Sequence, residues 1–344
     1  MPRTIRIRVL ALLAFFLIAL PVQVQAGDRD ALPSWNNRAT KTAILDFINR
    51  VTTPGPEFVE VSDRIAVFDN DGTLWSEQPY YNQLAFVFDR IKAMAPEHPE
   101  WKNDPVFDAA IKGDVKGALS TGEKGVGKLM IATHSGMTTD EFSKNVLSWI
   151  TRAKHPRFNR PYTELAYQPM LELMEYLRDK GFKTYIVSGG GVEFMRPWTE
   201  RVYGIPPEQV IGSTGEEKFE MKDGKPVIKK LAKPDFIDDG SGKPIAIQKY
   251  IGRRPVMAFG NSDGDRQMLE WTVGGTGPRF AALVHHTDAD REYAYDRDSK
   301  IGTLDKAWTE ALDRKWTVID MRKDWKVIFT PETMMAKGAK EMNP

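Results

Sequence analysis

Three short apolar runs break off abruptly in polar or glycine residues. They are "RIAVFD", ending at Asp69, "KTYIVSGGG", reaching Ser188, and "RPVMAFGN", reaching Gly260. Each is rich in β-branched and aromatic residues and shows little polar alternation, the pattern of a strand buried on both faces. Between them the period changes. "TAILDFINRV" sets Ile44, Leu45, Phe47, Ile48 and Val51 at helical spacing before "TTPGP" stops it. "PMLELMEYLRDKGF" carries Pro169 in its first turn and Gly181 at its end. "VEFMRPWTERVYG", disturbed at Pro197, "PIAIQKYIG" and "RQMLEWTV" add helices, and "EQVIGS" and "RFAALVHH" add strands. "EKFEMKDGKPVIKK" predicts a hairpin turning at Asp223 and Gly224. Strands alternating with helices in this way predict an α/β fold, a Rossmann-like parallel sheet wrapped by helices.

One stretch breaks that rhythm. From 77 to 160, "YYNQLAFVFDRIKAM" and "TTDEFSKNVLSWITRA" read as amphipathic helices, and no β-alternation is obvious. The glycine- and lysine-rich "IKGDVKGALSTGEKGVGK" between them predicts loop or short helix. The reading is a mostly helical domain at 77–160, inserted into a core made of 27–76 and 161–344. A length of 344 residues accommodates about two domains.

The first 26 residues stand apart. Arg3, Arg6 and Arg8 precede "VLALLAFFLIAL", and "VQVQA" ends in a small residue before Gly27. That is the layout of a secretory signal peptide cleaved after Ala26. The apolar run is shorter than the roughly 20 residues a spanning helix needs. The leader holds three arginines and no acid, so its loss turns a formal charge of +1 into −2. A near-neutral chain has no overall pull toward nucleic acid or anionic lipid. The absence of cysteine excludes disulfides and thiolate metal sites. The expectation is an exported, periplasmic protein with no stable membrane association after cleavage.

In an open parallel sheet, ligands bind beyond the carboxyl ends of the strands. Asp69, Ser188 and Gly260 therefore mark the place for a site. Asp69 and Asp71 would face opposite ways on a straight strand. A turn at the strand end, which Gly72 permits, lets both approach one ligand. An ionised carboxylate can attack phosphorus or bind Mg²⁺, and a protonated one can give its proton to a leaving oxygen. Unequal protonation is how paired acids divide these roles at neutral pH.

"FDNDGTLW" resembles the DxDGT first motif of the haloacid dehalogenase-like superfamily. "TYIVSGG" supplies the serine that ends an apolar strand in its second motif. "VMAFGNSDGDRQML" is similar to the GDGxND…M fourth motif of its phosphoserine phosphatase relatives. The order and spacing cover essentially the whole mature chain. The resemblance implies a nucleophile at Asp69 and a general acid, then base, at Asp71. It implies a phosphoryl contact from Ser188 and binding positions at Gly72, Thr73, Gly189 and Gly190, the last two with N–H groups at a helix start. It further implies Mg²⁺ bridging Asp69, the Asp71 carbonyl and the fourth-motif loop. Members that cleave carbon–halogen bonds lack the second aspartate, so Asp71 favours phosphate chemistry.

The third motif is a lysine, with Lys229, Lys230, Lys233 and Lys243 as candidates. Lys243 opens the helix that feeds the fourth-motif strand, where the family places it, and Lys229 and Lys230 read as solvated charges in a hairpin. The fourth motif departs from the family at Asn261, which stands where an acid is usual. Asn261 and Asp265 are the expected metal ligands, with Asp263 as a substitute, and Asn261→Asp is expected to tighten the metal. The helical insert takes the family's cap position.

The implied function is an exported Mg²⁺-dependent phosphomonoesterase for small organic phosphate esters, working through an aspartyl-phosphate. The alternatives are a phosphoserine phosphatase, a phosphomutase, or a catalytically silent module for phosphorylated ligands. Export argues against the first two, and the intact Asp69 and Asp71 pair against the third. Other signals carry less. "GEKGVGKL", from Gly122, nearly spells a nucleotide-binding P-loop, but Leu129 stands where the hydroxyl should be and no strand precedes it, so a flexible loop is expected. His285 and His286 lack companions for zinc and read as structural, rim or substrate-contact residues. His134 reads as lining the insert's inner face or satisfied in a loop. Trp75, Tyr80 and Tyr81 read as packing near the catalytic turn.

Overall fold

The computed structural model describes residues 30–330, and the leader expected at 1–26 lies outside them. The apolar runs form strands as their composition demands. These are β1 (Ile65–Phe68), β2 (Lys183–Gly191), β3 (Val210–Lys222), β4 (Lys225–Phe236), β5 (Met257–Gly260), β6 (Phe280–Thr287), β7 (Ala294–Tyr295) and β8 (Thr317–Asp320). They make one sheet in the order β4-β3-β2-β1-β5-β6-β7, with β8 also paired to β6. β1 lies between β2 and β5, parallel to both. β3 beside β2, and β6 and β8 beyond β5, are also parallel, while β4 and β7 run antiparallel. Strand order reverses at β1, and that reversal opens a crevice at its carboxyl end.

Side chains along the strands alternate between two apolar layers. Ala66, Phe68, Ile186, Phe259 and Val284 face one layer, which the helices Ala39–Thr52, Gln168–Asp179 and Val192–Tyr203 cover. Ile65, Val67, Val187, Ala258 and Leu283 face the other, covered by Gly242–Ala246 with its continuation Ile247–Ile251, Arg266–Val273 and Lys306–Arg314. Both faces of the central strands are therefore dry, which is why their sequences show so little alternation. Among the described residues, no helix is long and apolar enough to cross a membrane.

Between β1 and β2 the chain forms helices and no strand. Ahead of the core helix Gln168–Asp179 these include the α-helices Asn82–Met94, Pro105–Lys112, Val115–Ala118, Glu123–His134 and Thr139–Ile150. Asp104 caps the second through the Val106 N–H, and Thr138 and Glu141 cap the last reciprocally. Leu84, Val87, Phe88, Ile91, Val106, Phe107 and Leu129 bury one another in a third apolar cluster confined to this insert.

Several elements differ from the sequence reading. The helix Val192–Tyr203 runs through Pro197. The strand expected at "EQVIGS" continues to Lys222 and becomes one arm of the hairpin. The hairpin does turn at Asp223 and Gly224, both with positive φ, as a tight two-residue turn requires. Its second arm meets the insert, where the Gly136 N–H donates to the Lys230 carbonyl at 3.0 Å and the Lys230 N–H to the Met137 carbonyl at 2.9 Å. Lys230 is consequently not a solvated charge. It is buried, ion-paired to Glu193 and set over the Phe142 ring. "GEKGVGKL" is not a flexible loop but the start of the helix Glu123–His134. Burial of Leu129 and its neighbours there outweighs the weak helix propensity of glycine.

Candidate active site

Asp69 leaves the end of β1 with its N–H donating to the Phe259 carbonyl of β5 at 2.9 Å. The chain then turns. The Asn70 carbonyl accepts from the Leu74 N–H at 2.8 Å, and the Gly72 N–H donates to the Trp75 carbonyl at 2.9 Å. Gly72 adopts φ +72°, and a Cβ there would fall 2.1 Å from Asn261 Nδ2, so only glycine fits. The Trp75 indole, stacked on Trp198, donates to Asp71 Oδ1 at 2.9 Å. Trp75 thus packs the turn and aims its second carboxyl.

Lys243 Nζ reaches Asp69 Oδ1 at 2.7 Å and Asp265 Oδ1 at 2.5 Å, all three side chains buried. The other candidate lysines are engaged elsewhere, Lys229 near Glu220, Lys230 on Glu193 and Lys233 on Glu216. Burial and the neighbouring Asp265 push the Asp69 carboxyl well above its usual range, against the pull of Lys243. Burial pulls the Lys243 ammonium down, but Asp265 and Asp69 outweigh it and hold it above its usual range. Burial lifts the Asp71 carboxyl to about 6, with the Trp75 hydrogen bond opposing. The two aspartates of one turn thus meet different surroundings.

The fourth-motif loop is tied down by Asp265. Its Oδ2 accepts from the Asn261 N–H at 2.9 Å and the Ser262 N–H at 3.0 Å. With Oδ1 on Lys243, Asp265 ties the lysine to the loop. Asp263 lies on the same loop. Its Oδ1 accepts the Asp305 and Ala307 N–H groups at the start of the helix Lys306–Arg314. Asn261 does face the catalytic turn, with Oδ1 accepting from Thr73 Oγ1 at 2.9 Å and Nδ2 donating to Glu77 Oε1 at 2.7 Å.

On β2, Ser188 is buried and its Oγ accepts from the Gly190 N–H at 3.1 Å. A Cβ on Gly190 would lie 3.6 Å from Asp71 Oδ2, so this turn faces the acid. The helix begins at Val192, as its sequence predicts, with Gly189 and Gly190 still in β2 and Gly191 at the N-cap, whose N–H donates to Gln83 Oε1 at 2.8 Å. The Gly189 carbonyl accepts from Ser213 Oγ at 2.8 Å. Gln83 belongs to the insert and links it to this turn. Its Nε2 donates to His134 Nε2 at 3.0 Å. Burial, with Lys230 and Arg90 nearby, pushes His134 down to about 3, so its imidazole is neutral and can accept.

Sequence reasoning missed a second buried network beneath the turn. His286 Nε2 donates to the Gly72 carbonyl at 2.8 Å, and its Nδ1 lies 3.2 Å from Glu292 Oε2. Glu292 Oε1 accepts from Ser76 Oγ at 2.6 Å and from the Tyr167 hydroxyl at 3.3 Å. His286 therefore supports the turn at Gly72 from below, and His285 lies beside Asp296 and Trp308. Asp238 was also missed. It is fully buried with neither oxygen hydrogen-bonded, and burial lifts its carboxyl to about 7 against the pull of Lys243.

Among the described residues, no three His, Cys, Asp or Glu side chains form a metal-holding group. The set expected from the sequence is not such a group, because it counts a backbone carbonyl and the Asn261 amide oxygen among its donors. Asp69, the Asp71 carbonyl and Asn261 Oδ1 are all hard oxygen donors around one turn, and they fit Mg²⁺ with waters completing its shell.

A family model for haloacid dehalogenase-like hydrolases matches residues 66–270. No curated protein matches the chain. Among solved structures, a conserved functionally unknown protein from Anaerococcus prevotii DSM 20548 is similar at 15% identity and TM-score 0.51, covering 76% of this chain and 89% of its own. A phosphoserine phosphohydrolase-like protein from Francisella tularensis subsp. tularensis SCHU S4 is similar at 16% identity and TM-score 0.38, with 81% and 99% covered. A probable phosphoserine phosphatase from Vibrio cholerae is similar at 16% identity and TM-score 0.35, with 67% and 58% covered. The first of these shares the fold, and the other two are too distant to say more.

Proposed function

The chain belongs to the haloacid dehalogenase-like hydrolase family, and from that premise we propose that it is an exported, Mg²⁺-dependent phosphomonoesterase acting on small organic phosphate esters. The observation that carries this reading is the pairing of Asp69, held by Lys243, with Asp71, whose carboxyl titrates near 6. An Asp69 oxygen attacks phosphorus as the ester P–O bond breaks, giving an aspartyl-phosphate. Asp71 gives its proton to the leaving oxygen. Now ionised, it takes a proton from the water that attacks the aspartyl-phosphate, releasing phosphate and restoring Asp69. An acid titrating near the working pH suits both halves. Lys243 and Ser188 bind the phosphoryl oxygens and offset their charge. Asp69, the Asp71 carbonyl and Asn261 would hold Mg²⁺, whose charge would further offset that of the phosphoryl group.

Residues 77–160 act as a cap on a core of 27–76 and 161–344. Gln83 then excludes water and selects substrate beside the Ser188 turn. The leader at 1–26 directs export to the periplasm. The test is hydrolysis of an aryl phosphate by residues 27–344, with Mg²⁺ and with EDTA, beside Asp69→Asn. Turnover that needs metal and is lost in the variant is expected. Turnover surviving in Asp69→Asn would defeat the mechanism.

A further inference from the structure

The hairpin of β3 and β4 leaves one edge open. β2 pairs with β3 only as far as Ser213, whereas β4 pairs with it from Thr214 to Lys222. Among the described residues, no strand lies beside the other edge of β3 over Glu216 to Lys222. The far edge of the hairpin is closed, because Lys230 of β4 bonds through its N–H to the Met137 carbonyl and through its carbonyl to the Gly136 N–H of the insert. An open edge is a template for another strand. The turn decides which groups it offers. Lys222 and Lys225 face each other across the two-residue turn, the hydrogen-bonded position. Alternation from there directs the N–H and C=O groups of Met221, Phe219 and Glu217 outward. Lys230, opposite Glu217, turns its own groups outward on the far edge, as this alternation requires. Phe219 and Met221 are 64% and 61% exposed, and Ile228 and Pro226 lie opposite them on the same face of the hairpin.

The edge reads Glu216-Glu217-Lys218-Phe219-Glu220-Met221-Lys222, and its charges match their own reverse. An antiparallel second copy centred on Phe219 sets Lys218 opposite Glu220 and Glu216 opposite Lys222, with Phe219 facing Phe219 between them. A centre at Lys218 would oppose Glu216 to Glu220, and a centre at Glu220 would oppose Lys218 to Lys222. Opposite charges across two strands stabilise the pairing and like charges work against it, so one register is selected. The ion pairs these residues make within the chain, Glu216 with Lys233, Glu220 with Lys229 and Lys222 with Glu141, lie at the surface and are weak competitors. We infer that this edge is a homodimer interface, in which two copies pair antiparallel through Glu217, Phe219 and Met221 about a two-fold axis at Phe219. Two hairpins then become one four-stranded sheet, with Ile228, Phe219 and their counterparts in the second copy forming one apolar row across it. The inference is independent of the chemistry assigned to the active site.

The experiment is sedimentation velocity over a concentration series on the mature chain, residues 27–344. The samples are the wild type, Lys218→Glu, Glu220→Lys, and an equimolar mixture of the two variants, with circular dichroism to check the fold of each. The wild type should pass from one chain to two as concentration rises. Each variant alone opposes like charges at both symmetry-related pairs and should dimerise at least about tenfold more weakly. The mixture sets opposite charges at both pairs again and should dimerise as the wild type does. A wild type that stays a single chain at every concentration, variants that dimerise undiminished, or a mixture no more dimeric than either variant alone would overturn the inference.

Discussion

Lys243 holds two buried carboxylates at once, at 2.7 and 2.5 Å. Lys243→Met keeps the length of the side chain and removes its charge, leaving Asp69 and Asp265 together without a cation. Removing one partner of a buried pair costs about 3–5 kcal/mol. For a domain of this size each kcal/mol lowers Tm by about 2 °C, so the variant should melt about 6–10 °C below the wild type near pH 8 in EDTA. The pH dependence gives the sharper test. The Asp69 carboxyl is already raised, by burial first and Asp265 second, while Lys243 pulls it down. Loss of the ammonium raises it further. A carboxyl whose folded pKa exceeds its unfolded value of about 3.9 binds more protons when folded. The stability it contributes is complete below that value and is lost as pH rises through the folded one. The deficit should therefore grow as pH rises across the range in which the wild type stays folded, since the variant goes on losing stability after the wild-type carboxyl has ionised. Scanning calorimetry across that range measures it, with Lys243→Met/Asp265→Asn expected to melt above the single variant. A deficit independent of pH, or a double variant no more stable than the single one, would refute the charge-cluster account.

Two further outcomes follow from groups raised by burial. With Asp71 lifted to about 6, kcat/KM for an aryl phosphate should decline above about pH 6, as the protonated acid is lost. Trp75→Phe removes the indole hydrogen bond that opposes the shift, so this limb should move up by about 1 pH unit, from roughly 1.5 kcal/mol for a bond to a charged group. A limb that stays put would remove Asp71 from the acid role. Asp238, lifted to about 7, contributes stability that is complete below about pH 4 and lost as pH rises through 7. Asp238→Asn removes that loss and should gain stability relative to the wild type between about pH 5 and about pH 8.5, by up to about 4 kcal/mol. Chemical denaturation at the two pH values measures the gain, and a constant difference would show that Asp238 does not titrate in the fold.

The sheet was legible because its central strands are buried on both faces, so their sequences announce themselves as short apolar runs. Elements at the margins were less so. β7 is only Ala294–Tyr295, and the edge hairpin alternates with solvent. Glycine composition misled at Gly122 to Leu129, where packing of Leu129 decides the helix. In the site, Asp69, Asp71 and Lys243 could be found because their chemistry lies at strand and helix ends. Asp263 and Asp265 could not be told apart, since two acids on one loop differ only in the direction the turn gives them. One caps the helix Lys306–Arg314 and the other holds Lys243.

The residues whose partners the sequence did not show share one property. Glu77, Gln83, His286 and Glu292 act through partners far away in the chain, such as Asn261, Gly191, Gly72 and Ser76. A lone glutamate or histidine in a sequence reads as a surface charge, because burial is a property of the fold and compensation is a property of a pair. The missing charge at Asn261 was visible as a departure. The sequence could not show what meets Asn261, because only folding brings Glu77 to 2.7 Å from it. A departure inside a motif is therefore weak evidence for lost function until the buried groups that fold against it have been counted.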